Sequence, residues 1–228
     1  MYQNKSFLAV VPARGGSKRI PRKNVRNFCG KPLIAWSIEA GLHCKYIDKV
    51  VVSSDDEEIL KISKNFGAEI IKRPMVLASD VATTFDALKH TIENIEKYDY
   101  IVLLQPTSPL RDENHITAAI ELLEEKTADA VISVCEMDHS PLWSNILPKD
   151  GNMSGFLRDE ILNKRSQDLD KYHRLNGAIY ICKTDRLLEE KSFILKENIF
   201  SYIMDRESSI DIDEEIDFML AQCIMDSK

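Results

Sequence analysis

At 228 residues with 44% hydrophobic content, the chain is long enough to bury a full core within a single domain. Its net charge of −7 argues against general nucleic-acid binding, and no apolar run approaches the ~20 residues that a membrane span requires. Five cysteines, odd in number and without a C-x-x-C pair, suit reduced thiols rather than a disulfide scaffold, and FLAVVPA near the N-terminus is too short for a secretory leader, so a soluble cytoplasmic protein is expected.

The first element, FLAVVPA (7–13), reads as a buried strand. Directly after it, ARGGSKRIPRKN brings Arg14, Ser17, Lys18, Arg19, Arg22 and Lys23 around Gly15 and Gly16. Glycines let backbone N–H groups close on an anion, and a loop after a first strand is where α/β proteins hold phosphates. Neither G-x-x-x-x-G-K-[ST] nor G-x-G-x-x-G is present, and a basic surface loop is the plain alternative. Further strands are expected at KVVVSS (49–54), EII (69–71), YIVLLQP (100–106), AVISV (130–134), GAIYIC (177–182) and IFSYIM (199–204). Between them PLIAWSIEAGL (32–42), EEILKISKNFG (57–67), FDALKHTIENIEK (85–97) and ITAAIELLEEK (116–126) carry helical periodicity, as does EEIDFMLAQCIM (214–225) near the end. The alternation predicts an α/β fold: a mostly parallel sheet with helices on both faces and ligands beyond the C-terminal strand ends.

Residues 136–176 break this pattern. Pro141, Pro148, Gly151 and Gly155 punctuate a stretch that still carries Leu142, Trp143, Ile146, Leu147, Leu157 and Leu162. An excursion of this length without core periodicity points to a functional segment or an interface. Near the C-terminus, SIDIDEE sets Asp211 and Asp213 on either side of Ile212. In an extended segment both carboxylates share one face, a donor pair suited to Mg²⁺ beside phosphate oxygens. Alternatively Asp213 complements the N-terminus of the last helix. No His/Cys spacing suggests zinc, and no G-x-S-x-G supports Ser17 as a nucleophile.

Five blocks in order, PARGGSKRIPRKN with GKPLIAWSI, RPMVLASD (73–80), LLQPTSPLR (103–111), HRLNGAIYI (173–181) and SIDIDEEID (209–217), resemble the acylneuraminate cytidylyltransferases. The resemblance runs along nearly the whole chain. It implies a three-layer, Rossmann-like nucleotidyltransferase fold, one domain over 1–228 with 136–176 as a dimerisation excursion. The implied reaction joins CTP to N-acylneuraminic acid, or to a related nonulosonic acid such as legionaminic acid, and releases pyrophosphate. Arg14, Gly15, Gly16, Ser17, Lys18, Lys23 and Asn24 match the nucleotide loop, with Arg14 and Lys23 gripping the triphosphate. Arg73, Ala78, Ser79, Asp80 and Thr83 match the block that encloses the nucleotide. Gln105, Ser108, Asn176 and Tyr180 fall on the sugar side. Residue by residue, Asn24 could instead cap a helix entry, Thr83 could cap the helix that follows, and Gln105 could bond within its loop.

The resemblance favours Mg²⁺ on Asp211 and Asp213, with Asp211 the candidate acceptor of the anomeric proton. It also implies a homodimer with composite active sites, Arg165 and Arg174 being the candidates to reach the sugar acid. Trp143, where a basic residue is common, and Ser166-Gln167-Asp168-Leu169, where R-Q-D-L is common, depart from the pattern on the sugar side. A CMP-Kdo-type synthetase and a noncatalytic nucleotide-binding regulator with the same fold are the alternatives.

Overall fold

In the computed structural model, which describes residues 1–227, the apolar runs assemble into one seven-stranded sheet between two helical layers. β1 (Phe7–Pro12) is followed by the basic loop, by a two-residue hairpin of β2 (Asn27–Phe28) and β3 (Lys31–Pro32), and by α1 (Leu33–His43). Then come β4 (Lys49–Ser54), α2 (Glu57–Asn65), β5 (Glu69–Lys72), α3 (Thr84–Glu93), β6 (Tyr100–Leu103) and α4 (Glu113–Glu125). β7 (Ala130–Glu136), β8 (His173–Lys183), α5 (Thr184–Glu190), β9 (Ile199–Ile203) and α6 (Glu215–Asp226) complete the order.

The sheet runs β5-β4-β1-β6-β8-β7-β9. β1 pairs in parallel with β4 (Val10 opposite Val51) and with β6 (Val10 opposite Leu103), and β7 pairs in parallel with β9. β8 is antiparallel to both β6 and β7, which its apolar run could not reveal, since a strand buried on both faces reads the same in either direction. It also starts at His173, four residues earlier than its apolar run, because Arg174 and Leu175 pair with the end of β7 past a register shift. Helix limits move to their caps. Asp112 accepts from the Asn114 and His115 N–H groups, so α4 begins before its apolar stripe, and α3 ends at Glu93, short of the expected 97.

One core layer packs Ile34 and Ile38 of α1, Ile59 of α2 and Ile116, Ile120 and Leu123 of α4 against the sheet. The opposite layer uses Leu88 of α3 and Leu187 of α5 on Leu8, Val10 and Leu103. A third cluster lies beyond the sheet: Ile20, Phe28, Leu33, Leu110, Ile212, Phe218 and Ala221. Burying such side chains contributes roughly 1.5–3 kcal/mol each. This cluster thereby holds the basic loop, the turn after β6 and the acidic segment before α6 together.

Between β7 and β8 the chain forms two 3₁₀ turns, Pro141–Trp143 and Ser166–Asp168. Ile161 packs inward, but Ile146, Leu147, Met153 and Leu162 are exposed. No helix among the described residues is long and apolar enough to cross a membrane, and all five cysteines are unpaired.

Candidate active site

The basic loop is shaped by the acids at the end of β4. The Gly15 N–H donates to Asp55 Oδ1 (3.1 Å), and a Cβ on Gly15 would stand 2.7 Å from Asp56 Oδ2. Only glycine lets the loop approach that closely. Asp56 also caps α2 and pairs with Arg22, whose guanidinium holds the Asp56 carboxyl below its ordinary range. Arg22 adopts a left-handed conformation (φ 57°) and reaches Glu58 as well. Asn24, instead of capping a helix entry, donates from Nδ2 to the Arg14 carbonyl (3.1 Å). Space around Gly16 is open.

Above this loop, at the C-terminal ends of β1 and β6, opens a cavity of about 610 Å³. Arg14, Ser17, Lys18, Lys23, Asn24, Arg73, Ala78, Ser79, Asp80, Thr83, Gln105 and Asp213 line it, so most of the residues singled out in the sequence meet here. Arg19, Ala82, Thr84 and Thr107 line it too. Of these, Arg19 was visible as part of the cation run and Thr107 lies within LLQPTSPLR, while Ala82 and Thr84 carry no charge signal of their own.

Charge is divided between two walls. Asp80 binds Arg14 (3.0 Å) and Lys18 (2.5 Å), and these two cations, Lys18 foremost, depress its carboxyl. Arg73 is 6% exposed beside Asp55 (3.7 Å), and burial lowers its guanidinium pKa. On the other wall Asp213 receives Arg19 (3.1 Å) and Lys23 (3.4 Å), while Lys23 also donates to the Ile212 carbonyl. Thr83 does cap α3, in a reciprocal box with Asp86, and still faces the cavity.

Ile212 is fully buried in the third core cluster, which leaves Asp211 and Asp213 flanking it. The Asp211 carboxyl is raised by burial, with the Asp213 charge adding to the effect and Thr107 and Lys23 opposing it. Its Oδ1 is buried without a protein partner. Gly177 (φ 77°) brings bare backbone alongside: a Cβ there would lie 3.5 Å from Asp211 Oδ2 and 3.6 Å from Gln105 Nε2. The N-terminus of α6 is served by Asp217, which accepts from the Asp213 and Glu214 N–H groups, so the Asp213 carboxylate is not the cap. Among the described residues no cluster of three or more metal-ligating side chains exists. Two carboxylates, one with an unsatisfied oxygen, fit Mg²⁺, which takes one or two carboxylates and completes its shell with phosphate oxygens and water.

Other expected site residues lie back from the cavity or away from it. Ser108 is buried in the turn after β6. Asn176 is 2% exposed and bonded to Ser133 (2.6 Å) and Ser209 (2.9 Å), bracing β8 against β7 and the 205–209 turn. Tyr180 is half-buried against Phe193, and burial followed by the Asp211 charge raises its hydroxyl pKa. Arg165 is engaged with Asp168 of its own turn (2.9 and 3.1 Å), and Arg174 is exposed near the start of β8. Neither reaches this chain's cavity.

This arrangement has close parallels. Residues 8–214 match the model of a family described as cytidylyltransferase. The chain is 37% identical over 223 residues to an N-acylneuraminate cytidylyltransferase of Escherichia coli, covering 97% of this chain and 52% of that protein, so it spans about half of that relative's length. It is 35% identical to a CMP-N,N'-diacetyllegionaminic acid synthase of Legionella pneumophila, with 96% of each chain covered. A pseudaminic acid cytidylyltransferase of Campylobacter jejuni is also 35% identical, with 95% of each covered. In fold the chain resembles a CMP:2-keto-3-deoxy-manno-octonic acid synthetase solved with CTP (TM-score 0.74, 18% identity, covering 97% of this chain and 99% of that one). With the family model covering most of its length and relatives matched nearly end to end, the chain belongs to the cytidylyltransferase family.

Proposed function

We propose that this protein transfers CMP from CTP to a nonulosonic acid and releases pyrophosphate. The observation that carries this reading is the two-walled cavity, with Arg14, Lys18 and Arg73 on one side and Asp213, Lys23 and the Gln105 turn on the other. Arg14, Lys18 and Lys23 suit the triphosphate, while Asn24 and the 78–83 segment enclose the nucleoside. Gln105 suits the sugar acid, with Gly177 and Tyr180 behind it beside Asp211.

The anomeric hydroxyl attacks the α-phosphorus in line, the P–O bond to pyrophosphate breaks, and the hydroxyl proton leaves. Asp211, whose burial favours proton uptake, is the residue assigned to that proton. Asp211 and Asp213 would hold Mg²⁺, which supplies charge neutralisation at the phosphates. Arg14 and Lys23 act by position and electrostatics, stabilising charge that grows on the leaving group. Sialic, legionaminic and pseudaminic acids are all named among relatives of similar identity, so the substrate class is the shared one, a nine-carbon 2-keto acid. Pyrophosphate release from CTP that requires such an acid, and that stops with EDTA, tests the reading. Release without the acid contradicts it, as does none with any member of the class.

A single domain acting as a homodimer in the cytoplasm completes the proposal. The exposed Ile146, Leu147, Met153 and Leu162 need a covering surface, and a second copy of the 136–176 segment supplies one. Arg165, 72% exposed at its side chain and not among the residues lining its own cavity, then serves the neighbouring site, with Arg174 the second candidate. Co-refolding equal amounts of Arg165→Ala and Asp211→Asn chains gives hybrid dimers with one intact site each. Random pairing predicts recovery to roughly a quarter of wild-type activity. A mixture as weak as its parents means that Arg165 serves its own chain.

A further inference from the structure

Arg111 is 1% exposed, and no carboxylate of the described residues lies within ion-pair reach of it. Burial lowers its pKa to about 10, and its Nε and Nη1 have no protein partner. The neighbouring Asp112 charge only partly offsets that burial. A buried cation without an ion-pair partner is costly, and an apolar side chain of similar length would fill the same space more favourably. What the guanidinium does make is specific. Nη2 donates to Ser37 Oγ (2.7 Å) and approaches the Gln105 carbonyl (3.4 Å), while Ser37 Oγ donates to that same carbonyl (3.0 Å).

The turn after β6 depends on this clamp. Its own backbone bonds, Ser108 N–H to the Gln105 carbonyl and Arg111 N–H to the Ser108 carbonyl, are both long at 3.4 Å. Holding the Gln105 carbonyl toward α1 leaves the Gln105 side chain on the cavity side, close to Gly177 and Asp211. The same turn accepts the Ile212 N–H at the Thr107 carbonyl (2.8 Å), which fixes the segment carrying Asp211 and Asp213. The loop that carries Arg14 and Lys18 hangs on different supports, Asp55 and Asp56 at the end of β4.

We propose that Arg111 is a positioning residue for the sugar-acid half of the site: clamped to Ser37, it sets the Gln105–Thr107 turn and, through it, the Asp211–Asp213 segment. The inference rests on the functional reading above, so wild-type turnover of CTP with a nonulosonic acid is established first, which separates failure of that reading from failure of this one. Arg111→Met and Arg111→Lys are then compared by steady-state kinetics in each substrate, by CTP binding in calorimetry and by thermal melting. Arg111→Met should raise KM for the acid by ~10-fold or more and lower kcat, with CTP affinity measured without divalent metal, where the carriers of Mg²⁺ play no part, within ~2-fold of wild type. Arg111→Lys, which keeps a donor and a charge, should recover part of the loss. Ser37→Ala, which breaks the clamp while keeping the cation, should raise the acid KM in the same direction and keeps the test alive if Arg111→Met does not fold. An unchanged acid KM in these variants overturns the proposal. So does a parallel weakening of both substrates with a lowered melting temperature, the signature of a merely structural residue.

Discussion

Arg14→Ala should lower kcat/KM by at least ~10²-fold while the protein stays folded. Arg14 follows β1 directly and lines the cavity, and the carboxylate it meets there is Asp80. A phosphate arriving in that place exchanges a surface ion pair for a charge-assisted contact whose strength grows as the leaving group gains charge. The Arg14–Asp80 pair is exposed on both sides and screened by solvent, so its loss should barely move the melting temperature. Lys18→Ala removes the other half of the same grip and should cost less, since Arg14 remains. Near-normal kinetics in Arg14→Ala, measured with saturating acid and varied CTP, would sink the role assigned to this loop.

Asp211→Asn should have an equally large effect on turnover and, unlike Arg14→Ala, a visible effect on stability. Burial raises the Asp211 pKa in the folded protein, so the folded state binds its proton more tightly than the unfolded chain, whose carboxyl titrates near ~3.9. The sign follows: stability from this group is greatest below the unfolded value and declines as pH rises through the folded one. At neutral pH the ionised carboxylate is a net cost. Without divalent metal, Asp211→Asn should therefore melt at or above the wild-type temperature at pH 7, with the difference shrinking as pH is lowered. Turnover should nevertheless fall by ~10²-fold or more, because the group that takes the anomeric proton and joins in holding Mg²⁺ is gone. Asp213→Asn, exposed and facing Arg19 and Lys23, should lose turnover with little change in melting. A variant of Asp213 that melts earlier yet turns over normally would return that residue to helix stabilisation.

The strand positions were legible because VVV and IVLL leave no polar face, and such runs fit only strands covered on both sides. The basic loop was legible from charge placed beside two glycines in an acidic chain. Its inner workings were not: that Gly15 spends its N–H on Asp55, and that Asp56 leaves no room for a Cβ there, depends on residues forty positions away. The direction of β8 was equally hidden, being set by how the 136–176 excursion returns. From alternation alone Asp211 and Asp213 are expected on one face, opposite the buried Ile212, but the unsatisfied Asp211 oxygen could not be foreseen. Asn24 and Asn176 show the limit most clearly. Both carry polar side chains that a site could use, yet the bonds they make are internal, one to the Arg14 carbonyl and one to Ser133 and Ser209. Ala82 and Thr84 line the cavity although neither charge nor residue type singles them out.

The most direct measurement of the central claim follows one oxygen atom. A nonulosonic acid carrying heavy oxygen at its anomeric hydroxyl is incubated with CTP, Mg²⁺ and the wild-type protein, and the products are weighed by mass spectrometry. Attack by that hydroxyl on the α-phosphorus places the heavy atom in the bridge of the CMP-sugar and leaves pyrophosphate unlabelled. Absence of a CMP-sugar with every acid of the class, or a product whose bridging oxygen is unlabelled, would contradict the account.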